Sequence, residues 1–301
     1  MRILITGGGG FIGAALLSRL QETPLNSEVI GLKRAELDLT NAEATWTYLD
    51  KHRPSKIVHL ASSLARGEDE TSRARQWRDT FEGGRNLLSA AVAIKVPHIL
   101  MAGSVEELGA QAGVLGTNLP AQPYTFYGLC KSLLRQLAEF HARRTAVRVD
   151  WFRPFTVYGP GQVGPLLIPY AFQMASASHP ADFTDGVQER DFLYIDDLLN
   201  WLTLALRIDV TGIAHGEFHL HHLGTGVGTP VREILGAIAA EFPGAKFNLG
   251  ARSRSPHEPM VQVAPQDRAP EPPLSYWVPT TPVRNGVAKT AAWWRMQRGG
   301  R

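Results

Sequence analysis

Short apolar runs recur along the first half of the chain, with helix-patterned stretches between them. Arg2–Thr6 (RILIT), Glu28–Leu32 (EVIGL), Lys56–Leu60 (KIVHL), His98–Ala102 (HILMA) and Arg148–Phe152 are rich in Ile, Val and Leu and read as buried strands. The stretch holding Ala14, Leu16, Leu17 and Leu20 has helical spacing. Thr40 and Glu43 form a capping-box signature for a helix running toward His52. Further helices are expected from the seventies to Ala93 and from Tyr124 to Arg144. Strands alternating with helices at this spacing predict right-handed crossovers and a parallel sheet. After Pro154 the rhythm changes. Gly159, Pro160, Gly161, Gly164, Pro165 and Pro169 punctuate a loop. A strand at Phe192–Tyr194, a helix through Leu198–Leu206, a strand at Phe218–Leu220 and a helix opening at Pro230, capped by Thr229, follow. Arg252–Pro282 is proline-rich and reads as an extended crossing loop, Trp293 and Trp294 sit on a final short helix, and Arg298–Arg301 read as a frayed tail.

The pattern predicts an α/β fold: a doubly wound parallel (Rossmann) sheet with a smaller α/β C-terminal substrate-binding cap. Residues 1–165 with about 188–212 are assigned to the dinucleotide-binding domain, and 166–187 with 213–297 to the cap. A chain of 301 residues with 44% hydrophobic residues buries a large core without staples. Its single cysteine, Cys130, excludes an intramolecular disulfide. A net charge of +3, scattered along the chain, gives no footprint for nucleic acid. The longest apolar stretches are broken by charge or proline, as at Lys95 and Pro97, so no membrane span is expected; structure starting at Arg2 leaves no signal peptide, and the expected compartment is the cytoplasm.

Gly7, Gly10 and Gly13 fall between the first strand and the first helix. A tight turn, close approach of a pyrophosphate to the backbone, and close helix–strand packing each require glycine there, and the helix start then offers free N–H groups to the anion. Gly7, Gly10, Phe11, Ile12 and Gly13 are therefore the expected pyrophosphate cradle. Sites for NAD usually carry an acidic residue at the end of the second strand. Here Lys33 and Arg34 stand instead, which predicts NADP(H) over NAD(H), with Asp38 as a candidate adenine contact.

Tyr127 and Lys131 are four residues apart and share one helix face. An ammonium so placed favours the phenolate and lets the tyrosine exchange a proton at neutral pH. Ser104 follows the fourth strand at its carboxyl end, the edge where open α/β sheets bind ligands. His219 and His221 share a strand face, but a zinc site needs three or four ligands, and no metal is expected. Cys130 lies off the face shared by Tyr127 and Lys131.

Taken together with His59-Leu60-Ala61, Gly103-Ser104, Pro123–Lys131, Arg153–Gly161 and Arg190–Asp197, these motifs make the chain resemble an extended short-chain dehydrogenase/reductase of the NAD-dependent epimerase/dehydratase family, which modifies nucleotide sugars. The resemblance spans nearly the whole chain. It implies Tyr127 as acid/base, Lys131 on the nicotinamide ribose, Ser104 on the substrate oxygen, and further cofactor contacts at Leu39, Leu60, Ala61 and Pro154. It also implies a homodimer built from two helices per subunit. Three positions depart from the family pattern, each holding another residue where Asn is usual: Thr80, Thr156 and His222.

A nucleotide-sugar diphosphate calls for arginines in the cap, and Arg190 and Arg254 are chosen, with Thr156 beside them. Val105 stands where a dehydratase carries Asp, so a full dehydratase set is absent; Glu106 matches the dehydratase Glu and is an additional acid/base candidate. The short path from Leu32 to Thr40, with Lys33 and Arg34, favours NADPH-dependent reduction of a 4-keto (6-deoxy) nucleotide sugar. The alternative is a nucleotide-sugar 4-epimerase with tightly bound NAD. A dehydratase or a non-catalytic dinucleotide-binding protein ranks below both.

Overall fold

The computed structural model describes residues 1–23, 27–63, 65–212, 215–266 and 272–299. At its centre six strands run parallel in the order Glu217–Leu223, Arg148–Pro154, His98–Ala102, Lys56–His59, Arg2–Thr6, Glu28–Leu32. Parallel strands are covered on both faces, so they need near-continuous apolar sequence, and RILIT supplies it. Ile3 and Ile5 pack with Leu16, Leu20, Leu198 and Leu202 on one face. Leu4 points the other way, against Leu32, Leu49, Leu87 and Leu134. Helices Phe11–Glu22 and Ile195–Ala205 thus cover one side, and Ala42–His52, Gly83–Ala93 and Phe126–Ala142 the other. This is the doubly wound sheet that the alternation predicts.

Arg2–Thr6 pairs with Glu28–Leu32 on one side and with Lys56–His59 on the other. Strand order therefore reverses at the first strand, and the crevice beyond its carboxyl end is where a doubly wound sheet takes its ligand. Beside the central sheet stand three smaller ones, built mostly from residues beyond Pro154. Thr156–Tyr158 pairs with Phe192–Tyr194, Pro180–Phe183 with Lys246–Leu249, and Gly113–Val114, Val261–Val263, Glu189–Arg190 and Thr229–Pro230 form a four-stranded sheet. Asp191 ties these loops together: its carboxylate accepts from the backbone N–H groups of Thr225, Gly226 and Ala264.

Several boundaries differ from expectation. Asn41, not Thr40, caps the helix to His52, accepting from the Ala44 N–H, while the Thr40 hydroxyl turns back to Asp38. Thr229 is not a cap either; it is drawn into the small sheet opposite Arg190. The helix bearing Trp293 and Trp294 is long, spanning Val283–Gly299, so the expected tail is helical at 298–299, and 300–301 lie outside the described residues. The Arg252–Pro282 loop contains the strand Val261–Val263 and a short 3₁₀ turn at Leu274–Tyr276; its residues 267–271 also lie outside the described set. The helix between Glu70 and Ala93 carries a π-helical insert, Trp77–Glu82, which turns Thr80 inward.

At the amino ends of the strands, away from the crevice, a buried polar network spans the sheet. Asp150 accepts from Arg148, from His98 at 2.7 Å and from His221 at 2.7 Å. Burial alone would raise this carboxyl, but the bonds from His221, His98 and Arg148 hold it well below the usual carboxylate range. His219 sits beside His221 on the same face, as expected, and pairs with Glu217. Among the described residues no three or more His, Cys, Asp or Glu side chains gather in a metal-binding arrangement. No helix among them is long and apolar enough to cross a membrane.

Candidate active site

The glycine loop adopts the geometry its sequence predicts. Gly7 has φ +73°, and a Cβ there would lie 2.8 Å from the Ala61 nitrogen. A Cβ on Gly13 would collide with the Gly7 carbonyl oxygen. The Phe11–Glu22 helix begins at Gly10 with no side-chain cap, so its first N–H groups are offered to the crevice. Leu60 and Ala61 close the opposite side, held to Thr6 by backbone and hydroxyl bonds. Thr6 also bonds His59, whose imidazole burial, aided by repulsion from Lys131, pushes down to about 3, so it stays neutral. Thr80, at a position where Asn is usual, accepts the Ser63 N–H at 3.0 Å and so anchors the loop behind Ala61.

Beside the loop, Leu32, Leu37 and Leu39 wall a cavity whose polar rim is Lys33, Arg34, Asp38 and Asp79. Arg34 is not a free cation there. It pairs with Asp79 at 3.0 Å and with Asp38 at 3.6 Å. Arg78 also bonds Asp79. Lys33 gives its backbone N–H to Glu36. Arg34, one of the two cations that suggested a 2′-phosphate site, thus stands among carboxylates that would repel a phosphate, and Asp79 comes from a helix far along the chain.

At the carboxyl end of His98–Ala102, Ser104 caps the 3₁₀ turn Val105–Leu108, its hydroxyl accepting from the Glu106 N–H. The Glu107 carboxylate closes the capping box by accepting the Ser104 N–H at 2.9 Å. Glu107 is fully buried and also accepts from Trp151 Nε1 and from Arg153 at 3.0 and 2.7 Å. Arg153, itself buried, continues to His222 Nε2 at 3.2 Å, and His222 Nδ1 meets the Leu115 carbonyl at 2.7 Å. A neutral ring with its proton on Nδ1 donates to the carbonyl and accepts from the guanidinium, as an Asn amide would. Burial agrees, pushing this imidazole down to about 4.

Glu106 is partly buried, and its carboxylate accepts the Thr125 hydroxyl at 2.6 Å. Thr125 in turn caps the Phe126–Ala142 helix by accepting the Gly128 N–H. This clamps the Ser104 turn against the helix carrying Tyr127 and Lys131. Lys131 is 1% exposed. Its ammonium donates to the Ala102 carbonyl at 2.6 Å and stands 5.8 Å from the Tyr127 ring centroid. Cys130 is buried apart, its thiol pushed up by burial to about 11. Across the Tyr127 ring lies a group that motif spacing did not reveal: Arg66, its guanidinium carbon 4.1 Å from the centroid.

Pro154 ends the Arg148–Pro154 strand, and the chain enters the cap there. Thr156 and Arg190 line one cap cleft with Tyr170, Phe183 and Glu258, and Arg190 pairs with Glu258 at 2.8 Å. Arg254 lies outside that lining, paired with Asp185, and Arg252 lies within it. The signal for Glu107 was present as Ser-x-x-Glu at 104–107. Arg66, Asp79 and Arg252 leave no local trace.

The model of the NAD dependent epimerase/dehydratase family matches residues 3–218. A UDP-glucose 4-epimerase of Azospirillum brasilense is 26% identical over 324 aligned positions, covering 97% of this chain and 91% of its own. A GDP-6-deoxy-D-talose 4-dehydrogenase of Aggregatibacter actinomycetemcomitans is 32% identical over 241 positions, 74% of this chain and 79% of the relative. Among solved structures, a Bacillus cereus UDP-glucuronic acid 4-epimerase bound to NAD superposes with a TM-score of 0.84 at 21% identity, covering 99% of this chain and 100% of the other. The Thermotoga maritima UDP-glucose 4-epimerase gives 0.82 at 20%, with the same coverage. Glycine cradle, Tyr–Lys helix and family match converge, and the chain belongs to the NAD-dependent epimerase/dehydratase family.

Proposed function

We propose that the protein is a nucleotide-sugar 4-epimerase that works with a retained NAD. The observation carrying this reading is the neutralised charge at the end of the second strand. Arg34 is bound by Asp79 and Asp38, so a ribose with hydroxyls suits the cavity better than one bearing a phosphate. The 4-epimerases among the relatives support the same choice, and they favour it over the NADPH-dependent reductase expected from Lys33 and Arg34.

The residues fit the dinucleotide: the uncapped helix start and the glycine crevice take its pyrophosphate, and Lys131 faces its nicotinamide ribose. Bound there, the dinucleotide would supply a reversible hydride acceptor for sugar C4. Tyr127 takes the proton of the C4 hydroxyl and gives it back, so the residue ends each cycle as it began. Ser104 donates to the same oxygen, held in place through Glu107. Thr156, Arg190 and Arg252 hold the nucleotide side in the cap, where planar guanidinium groups suit a diphosphate. Leu129 and Phe140, exposed on the Phe126–Ala142 helix, are the surface on which two copies would pair. Denaturing the purified protein and identifying the released nucleotide by mass tests the reading. NAD supports it; stoichiometric NADP overturns it.

A further inference from the structure

Arg66 is a cation beside the Tyr127 ring that the epimerase chemistry leaves unused. Its side chain is exposed, and its guanidinium carbon lies 4.1 Å from the Tyr127 ring centroid. It donates only to two backbone carbonyls, Ser63 at 2.7 Å and Ala65 at 2.9 Å, both through one nitrogen. Among the described residues it has no carboxylate partner. The acids around it are engaged elsewhere: Glu68 with Arg73 and the Phe126 N–H, Glu106 with Thr125. A guanidinium has five N–H donors in a planar fork that matches a carboxylate, so the remaining face of Arg66 is open to an anion. In the cleft lined by Thr156, Arg190 is paired with Glu258, while Arg252 has no carboxylate partner among the described residues and is available for the nucleotide's diphosphate. A ligand anion that meets Arg66 can then come from the sugar.

We infer that Arg66 selects sugars carrying a carboxylate beside the reacting carbon, as in a hexuronate. In such a sugar the acid carbon is two bonds from C4. With the C4 oxygen at the phenol of Tyr127, the carboxylate falls beside the guanidinium over that ring. The inference rests on the epimerase reading for the position of C4, and it assigns the substrate class of the same site.

The test is calorimetric titration of NAD-loaded protein with UDP, UDP-glucose and UDP-glucuronate, for the wild type, Arg66→Gln and Arg66→Lys. A charge-assisted pair predicts that the wild type prefers UDP-glucuronate to UDP-glucose by about tenfold or more. Arg66→Gln should bring that ratio near one, and Arg66→Lys should keep part of it. A ratio unchanged by Arg66→Gln, equal weakening of all three ligands (which would place Arg66 on the diphosphate), or binding of neither sugar overturns the inference. Charge-selective binding without any C4 epimer formed would instead leave Arg66 assigned and refute the epimerase reading.

Discussion

Replacing Glu107 with alanine should unfold much of what holds Ser104. The carboxylate is fully buried and takes four donors: Ser104 N, Trp151 Nε1 and two nitrogens of Arg153. Its loss strands the Arg153 guanidinium, which is 1% exposed and whose other side-chain partner among the described residues is His222. Removing one partner of a buried ion pair costs about 3–5 kcal/mol. Orphaned Trp151 and Ser104 donors add to this, partly offset if water enters the space. We expect Glu107→Ala to lose at least ~4 kcal/mol, a large share of the roughly 5–15 kcal/mol typical of a whole domain. Because an apolar pair can replace a buried ionic one at little cost, the double variant Glu107→Leu/Arg153→Met should be more stable than the sum of the single losses implies, by about 2 kcal/mol or more. Urea unfolding followed by far-ultraviolet circular dichroism reads all three. A Glu107→Ala loss below ~1 kcal/mol, or a double variant equal to the sum, would refute the buried-pair reasoning.

Three further outcomes are expected. Tyr127→Phe should abolish turnover while NAD binding, measured by titration, stays intact; an active variant removes Tyr127 from the acid/base role. Asp38→Asn combined with Asp79→Asn frees Arg34 and should raise NADP affinity relative to NAD by about tenfold, the value of one charged hydrogen bond; an unchanged ratio refutes the neutralisation argument. His222 titrates at about 4 when folded and near ~6.5 when unfolded. As pH falls, the unfolded chain takes up its proton first. The stability this group contributes is therefore complete above about 6.5 and is lost as pH falls toward 4, by up to ~3 kcal/mol. His222→Asn, which keeps both hydrogen bonds, should flatten the stability curve between those limits, and an identical acid profile would contradict it.

The strands and the glycine loop were legible because their causes are local. A buried parallel strand needs an apolar run, and a turn at φ +73° needs glycine. The Tyr127–Lys131 pair was legible because helix geometry fixes the face. What escaped is set by partners distant in sequence. Arg34 reads as a phosphate ligand until the π-helical turn brings Asp79 onto it. Arg153 finds its partners Glu107 and His222 on a turn and a strand distant in sequence. Thr40 carries a cap signature that Asn41 takes over, its side chain accepting the Ala44 N–H one residue further on. Thr80 and His222, where Asn is usual, are each held by hydrogen bonds to backbone distant in sequence, at Ser63 and Leu115.

The most direct measurement follows the sugar itself. The purified protein, with no nicotinamide added, is incubated with UDP-glucuronate and with UDP-glucose, while proton NMR tracks the C4 configuration and absorbance at the reduced-nicotinamide band is recorded. Conversion to the C4 epimer with no net change in that absorbance is the predicted result. No epimer formed from either nucleotide sugar, together with NADPH consumption in a parallel incubation to which NADPH and a 4-keto nucleotide sugar are added, would contradict it.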